Sequence, residues 1–209
     1  ADVEALLGCG ADKISVNSSA LDRPELITEL AEAFGSQCVV VAVDARQEDD
    51  GQWYVYVKGG RERTPRRLFE WAEEAWRRGA GEILFTSMDN DGTNAGFACE
   101  ATARISQSVD IPVIASGGAG SLGDFYDAFA IGCADAALAA GVFHYGRFTV
   151  RQVKEYLLKK FKQDALILVA HSWGTLLGTL LCGAYPEGIS AYLGSGQMVN
   201  GAEGERLSY

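Results

Sequence analysis

Asp44 is the residue of this sequence best placed to move a proton. It closes the unbroken apolar run Val39-Val40-Val41-Ala42-Val43. A carboxyl at the end of a buried strand sits at a partly desolvated mouth, where burial disfavours the charged form and suits the group to general-acid work. Asp89 and Asp91 follow a second apolar run, Ile83 to Thr86, and are the other carboxylates at strand ends. Two glycine-containing turns suit an anion. Gly117-Gly118 follows the run Pro112 to Ser116, and a backbone without Cβ atoms can approach a phosphate closely. Ala139-Ala140-Gly141 follows Ala134 to Leu138 and opens a short helical turn whose amides can face the same phosphate. Asn17 and Ser18 follow Ile14-Ser15-Val16; taken alone, Asn-Ser at a strand end is a turn former. Histidine occurs only twice, at 144 and 171, so neither a His-rich metal site nor a metal cofactor is expected.

These residues need elements that bring strand ends together. Ile14–Asn17, Val39–Asp44, Glu82–Thr86, Pro112–Ser116 and Ala134–Leu138 read as strands, and Val39–Asp44 is continuous rather than alternating, as buried parallel strands are. Between them Pro24–Phe34, Arg66–Arg78, Ala98–Val109 and Leu122–Ala130 read as helices, and Trp53–Val57 as a hairpin arm introduced by Asp50-Gly51. Thr149 and Gln152 form a capping-box pattern ahead of a helix whose Val150, Val153, Leu157 and Phe161 share one face. This β-α-β-α order predicts parallel strands covered by helices. The polar residues fall after the strands, which is the catalytic face of an α/β barrel.

The same segments resemble the cyclase subunit of imidazole glycerol phosphate synthase. Gly10-Ala11-Asp12-Lys13-Ile14-Ser15-Val16-Asn17-Ser18 is similar to its fourth barrel strand, and Gly35 to Asp44 to its fifth. Gly79 to Thr93, with Asp89-Asn90-Asp91-Gly92, is similar to the sixth strand and its loop. Ile111 to Gly120 is similar to the seventh and Ala134 to His144 to the eighth. The likeness is collinear from residue 1 to about 158. It implies part of a (β/α)8 barrel, strands four to eight. It further implies Asp44 as general acid and Asp91 as an orienting residue. One phosphate of a bisphosphate substrate would lie at Gly92, Gly117, Gly118, Ala140 and Gly141, the other at Asn17 and Ser18. Thr86 and Ser116 would stand at the mouth, and Lys13 would gate an ammonia route from a glutaminase partner. The family usually carries Ser at the position of Gly141. Its first three strands, with the Asp that acts as base, have no counterpart here, so impaired turnover is expected.

Composition shifts near residue 162. Residues 163–209 hold 5 charged residues in 47, and residues 165–186 hold none. That stretch is long enough to cross a bilayer, but His171, Ser172, Gly174, Thr175 and Gly178 interrupt it, so it reads as a strand-turn-helix. Leu166 to Gly178 resembles the nucleophile elbow of an α/β-hydrolase of the prolyl aminopeptidase kind, with Ala170-x-Ser172-x-Gly174 in place of G-x-S-x-G. The resemblance implies Ser172 as nucleophile, yet no His follows residue 171 to act as its base. Two parts are therefore expected: 1–158, a partial cyclase-type barrel, and 159–209, a hydrolase-like appendage.

Charge and thiols narrow the setting. The net charge of −10 argues against nucleic acid and anionic membranes as partners. Five cysteines, none in C-x-x-C spacing, fit reduced thiols and a cytoplasmic location. Ala1 to Gly10 lacks the basic and long apolar regions of a signal peptide and reads as a start in mid-domain. An open half-barrel leaves strand edges. The hydrolase-like strand Leu166–Ala170 could fill one, or a homodimer could close the barrel. Three functions stay open at this point: cyclase, phosphate-binding half-barrel without turnover, and serine hydrolase.

Overall fold

A computed structural model describes residues 2–163, 166–171 and 189–195. The chain divides into two compact units, Lys13–Val153 on one side and Ala1–Asp12 with Lys154–Tyr209 on the other.

The larger unit is built on five parallel strands: β1 (Ile14–Val16), β2 (Val39–Gln47), β5 (Glu82–Ser87), β6 (Val113–Ser116) and β7 (Ala136–Leu138). They pair in the order β1-β2-β5-β6-β7. This is the strand order of an α/β barrel segment, and among the described residues the sheet does not close on itself. An antiparallel hairpin, β3 (Trp53–Val57) and β4 (Glu62–Arg67), adds to β2 beyond the end of β1. Helices connect the strands: α2 (Ser18–Asp22), α3 (Glu25–Phe34), α4 (Leu68–Arg77), α5 (Cys99–Ser108) and α6 (Leu122–Ala130). A short α7 (Gly141–His144) follows β7.

Strand parity decides the core. Val39, Val41, Val43, Ile83 and Val113 are 0% exposed, as is Ala45, and Phe85 and Ala115 are 1% exposed. On the helices, Ile27, Leu68, Trp71, Ala72, Ile105 and Phe125 are the buried counterparts. Burying one such side chain contributes roughly 1.5–3 kcal/mol. The alternate residues Ala42, Asp44, Leu84, Thr86 and Ile114 lie on the opposite face and are only half-buried.

Local signals set the helix ends. Ser121 caps α6 by a reciprocal box: its Oγ accepts from the Asp124 amide, and its own amide donates to Asp124 Oδ2 at 2.8 Å. Such a cap is worth about 1 kcal/mol. Gly35, at φ 90°, ends α3.

One sequence expectation needs correction here. The helix anticipated from Arg66 starts at Leu68, because Arg66 and Arg67 continue β4: Arg67 is in register with Tyr54, and Arg63 stacks on the Tyr54 ring at 3.8 Å. In α8 (Val150–Phe161) the box forms, with the Gln152 amide donating to Thr149 Oγ1 at 3.2 Å. Its apolar stripe is only partly covered, however: Val153 is buried, while Val150 is 50% and Phe161 40% exposed.

In the smaller unit α1 (Asp2–Gly8) precedes the barrel strands in sequence. The hydrolase-like strand β8 (Leu166–His171) pairs in parallel with β9 (Ile189–Ser195) in a two-stranded sheet of its own. It does not fill an edge of the larger sheet, because a second apolar run supplies its partner. Ser172 and the rest of the elbow lie outside the described residues, as does most of the uncharged stretch. No described helix is long and apolar enough to cross a membrane.

Candidate functional site

Register places the strand-end polar residues in one row. Asp44 is level with Thr86, Thr86 with Ser116, and Ser116 with Leu138. All four therefore project from the same face: Thr86, Ser116 and Leu138 at the C-terminal ends of β5, β6 and β7, and Asp44 within β2, which runs three residues beyond the expected strand end, to Gln47, because β3 pairs with it there. Asn17, directly after β1, reaches this row: its Nδ2 donates to Asp44 Oδ2 at 2.9 Å. Asn17 is the N-cap of α2 but makes no side-chain cap bond, and its buried Oδ1 has no partner. Its amide is thus spent on orienting Asp44. The Ser18 hydroxyl accepts from the Lys58 amide at 3.2 Å, which ties α2 to the β3–β4 turn.

Beside this row lies a cavity of about 130 Å³ lined by Asp91, Gly92, Ser116, Gly117, Gly118, Ala140 and Gly141. Ala139, from the expected helical turn, and Asn94, Ala119 and Leu138, which the sequence did not single out, complete its wall. Asn94 is held by Arg147 Nη1 at 3.1 Å and adopts φ 60°; a left-handed Asn in a glycine-rich loop is the one sequence signal available. Among the described residues the amides of Gly118, Ala119, Ala140 and Gly141 have no hydrogen-bond acceptor. Free amides on residues lining a small cavity suit an oxyanion.

Gly118 is required by two facts. Its φ is +105°, and a methyl there would overlap the Gly96 carbonyl oxygen and crowd Asn90 Cβ. The same approach lets the Gly96 amide donate to the Gly118 carbonyl at 2.8 Å. Gly141 has open space around it instead, with nothing within 4 Å of an added Cβ.

The remaining carboxylates separate in role. Asp89 is occupied: its Oδ2 accepts from the Gln47 amide at 2.9 Å, and Oδ1 lies 3.2 Å from Arg46 Nε. Asp91 is exposed at the cavity wall. Lys13 stands apart from both cavity and row. It precedes β1 and pairs with Glu82 at the start of β5. Glu82 and Thr86 are four residues apart on that strand, so the pair lies about 13 Å from the Asp44 row. No cluster of potential metal ligands occurs among the described residues.

Residues 1–149 match the family model of histidine biosynthesis proteins. Residues 116–205 match the α/β hydrolase fold, overlapping the first match from 116 to 149. The chain is 59% identical over 158 residues to the imidazole glycerol phosphate synthase subunit HisF of Flavobacterium johnsoniae, covering 76% of this chain and 62% of that one. It is 60% identical over 153 residues to the HisF subunit of Flavobacterium psychrophilum, covering 73% and 61%. For the HisF subunit of Bacillus licheniformis the identity is 56% over 160 residues, covering 76% and 64%. The chain thus spans about three fifths of the length of these curated relatives. By its matched residues, its strand order and its relatives, the chain belongs to the histidine biosynthesis protein family.

Proposed function

We propose that this chain carries the cyclase chemistry of imidazole glycerol phosphate synthase. That lyase of histidine biosynthesis uses ammonia to close an imidazole ring on a phosphoribulosyl aminoimidazole substrate. Its products are imidazole glycerol phosphate and an aminoimidazole carboxamide ribotide. The observation that carries this reading is the Asp44–Thr86–Ser116 row beside a cavity with unengaged amides. One phosphate of the bisphosphate substrate lies on the amides of Gly118, Ala119, Ala140 and Gly141, with Gly92 and Gly117 permitting close approach. The second falls to the Asn17–Ser18 turn, where the Ser18 hydroxyl proton is free to donate. Asp44 acts as the acid: the Asn17 amide holds Oδ2, which leaves Oδ1 to face the substrate. Thr86 and Ser116 hydrogen-bond the chain between the phosphates. Asp91 meets an uncharged hydroxyl, because a carboxylate beside a phosphate dianion is repelled.

The partners follow the same reading. A glutaminase subunit supplies ammonia at the opposite rim, where Lys13 and its pair with Glu82 act as the gate. β1 and β7 each have one side without a strand partner among the described residues, which suits a homodimer that closes the barrel. The two-part organisation, 1–158 and 159–209, and a cytoplasmic setting are kept with this proposal. No cofactor is called for. The serine-hydrolase alternative at Ser172 has a sequence match as its support, and fluorophosphonate labelling of Ser172 would be its first sign.

The test combines thermal unfolding with ammonia-dependent turnover. Inorganic phosphate is expected to raise the unfolding midpoint, by about 2.7 kcal/mol of stabilisation at ~100 times its dissociation constant. Asp44→Asn is expected to keep that shift and lower turnover about 100-fold or more. A shift with no turnover in the unaltered chain would mark a phosphate-binding half-barrel, and the absence of a shift would overturn the site itself.

A further inference from the structure

A second cavity, of about 400 Å³, opens on the outer side of the larger unit, between α4, α5 and the β2–β3 turn. Trp53 and Phe69 form flat walls, Asn90 and Cys99 lie deeper, and Glu100 and Arg104 line it from α5. Its volume is in the range of small-molecule sites. Trp53 is fixed by an edge-on contact with Phe85, ring centroids 5.7 Å apart.

The charges on α5 are unusual for this protein. Glu100 and Arg104 are four residues apart with the acid first, the order that favours an ion pair. On α4 the same spacing does pair: Arg77 Nη2 lies 2.9 Å from Glu73, and Arg78 Nε 2.8 Å from Glu74. Glu100 and Arg104 do not pair. Arg104 instead lies over the Phe69 ring, 3.7 Å from its centroid, and Glu100 has no cation among the described residues. The indole N–H of Trp53 likewise has no acceptor among the described residues. An exposed cation–π contact is worth only about 0.5–1 kcal/mol, so the guanidinium can turn to a better partner.

We propose that this cavity binds a free aromatic α-amino acid. The flat ring lies against Trp53 and Phe69, the carboxylate meets Arg104 and the ammonium meets Glu100. A simple anion would leave Glu100 unanswered beside it, and a simple amine would leave Arg104 so. A zwitterion satisfies both at one opening, and the ring uses the walls. Cys99 gives a reporter inside the site: its thiol is half-buried, and burial, with Asp127 and Asp124 nearby, pushes its pKa up.

The test is calorimetric titration of the full chain with tryptophan, phenylalanine and histidine, each against analogues lacking one charge. Tryptamine, without the carboxylate, and indole-3-propionate, without the ammonium, are expected to bind at least about tenfold more weakly than tryptophan. Arg104→Gln should remove the preference over tryptamine, and Glu100→Gln the preference over indole-3-propionate. In the unaltered chain, tryptophan should slow iodoacetamide labelling of Cys99 at alkaline pH, read by peptide mass spectrometry, so the answer does not depend on folded variants. No heat and no Cys99 protection at millimolar amino acid, or equal binding of all three indoles, would overturn the proposal.

Discussion

The two faces of the larger sheet differ in what they are made of and what they can do. The face under the helices, with Val39, Val41, Val43, Ile83, Phe85 and Val113, is apolar and at most 1% exposed. The opposite face, with Ala42, Leu84 and Ile114 below Asp44, Thr86 and Ser116, is half-buried except at the buried Ser116 and carries polar groups toward the strand ends. One residue step along a strand therefore passes from stability to chemistry. Ser87 is the exception that connects them. It is 0% exposed on the helix-covered side, and its hydroxyl donates to Asn90 Oδ1 at 2.7 Å. Asn90 Nδ2 in turn donates to the Gly96 carbonyl at 2.8 Å. The covered face thus anchors the loop that walls the cavity beside Gly118.

The strongest way to break this division is Phe85→Ala. It should cost about 3–5 kcal/mol in urea unfolding, while the molecules that remain folded bind phosphate as before. If phosphate affinity fell in proportion, the faces would not be separable. Gly118→Ala addresses the other side. The methyl has no room at φ +105°, so a loss of about 1–3 kcal/mol is expected from strain. A disproportionate loss of phosphate binding should accompany it, measured by titration below the unfolding temperature. The smallest effect should be Gly141→Ser. Space is open there, stability should barely move, and an added hydroxyl hydrogen bond should tighten phosphate about threefold to tenfold. A weaker phosphate complex would place the anion elsewhere in the cavity.

Much of this was legible in the sequence. The valine run of β2, the Gly117-Gly118 pair and the Thr149–Gln152 box each carry a local physical signal, and each lies where that signal put it. β4 was hidden because Glu62-Arg63-Thr64-Pro65-Arg66-Arg67 has no apolar alternation. Its strand geometry comes from cross-strand partners such as Tyr54, a tertiary influence that propensity does not report. In the site, strand ends could be counted, but the Asn17–Asp44 hydrogen bond joins residues 27 apart in sequence. The separation of Asp89 from Asp91 likewise depends on Arg46 and the Gln47 amide, on another strand. The unpaired state of Glu100 and Arg104 runs against the helical rule and had no sequence signal at all.

The hairpin has a consequence for colloidal behaviour. β1 runs along β2 only from Val39 to Val41, and β3 takes over from Asp44 to Gln47. The longest of the described strands therefore offers almost no bare backbone on that side to a neighbouring chain. The strands left at the margins of the larger sheet are poor templates for amyloid-like growth. β1 and β7 have three residues each, and β4 presents Pro65 among Glu62, Arg63, Arg66 and Arg67, where a missing amide and repelling charges discourage the addition of another strand.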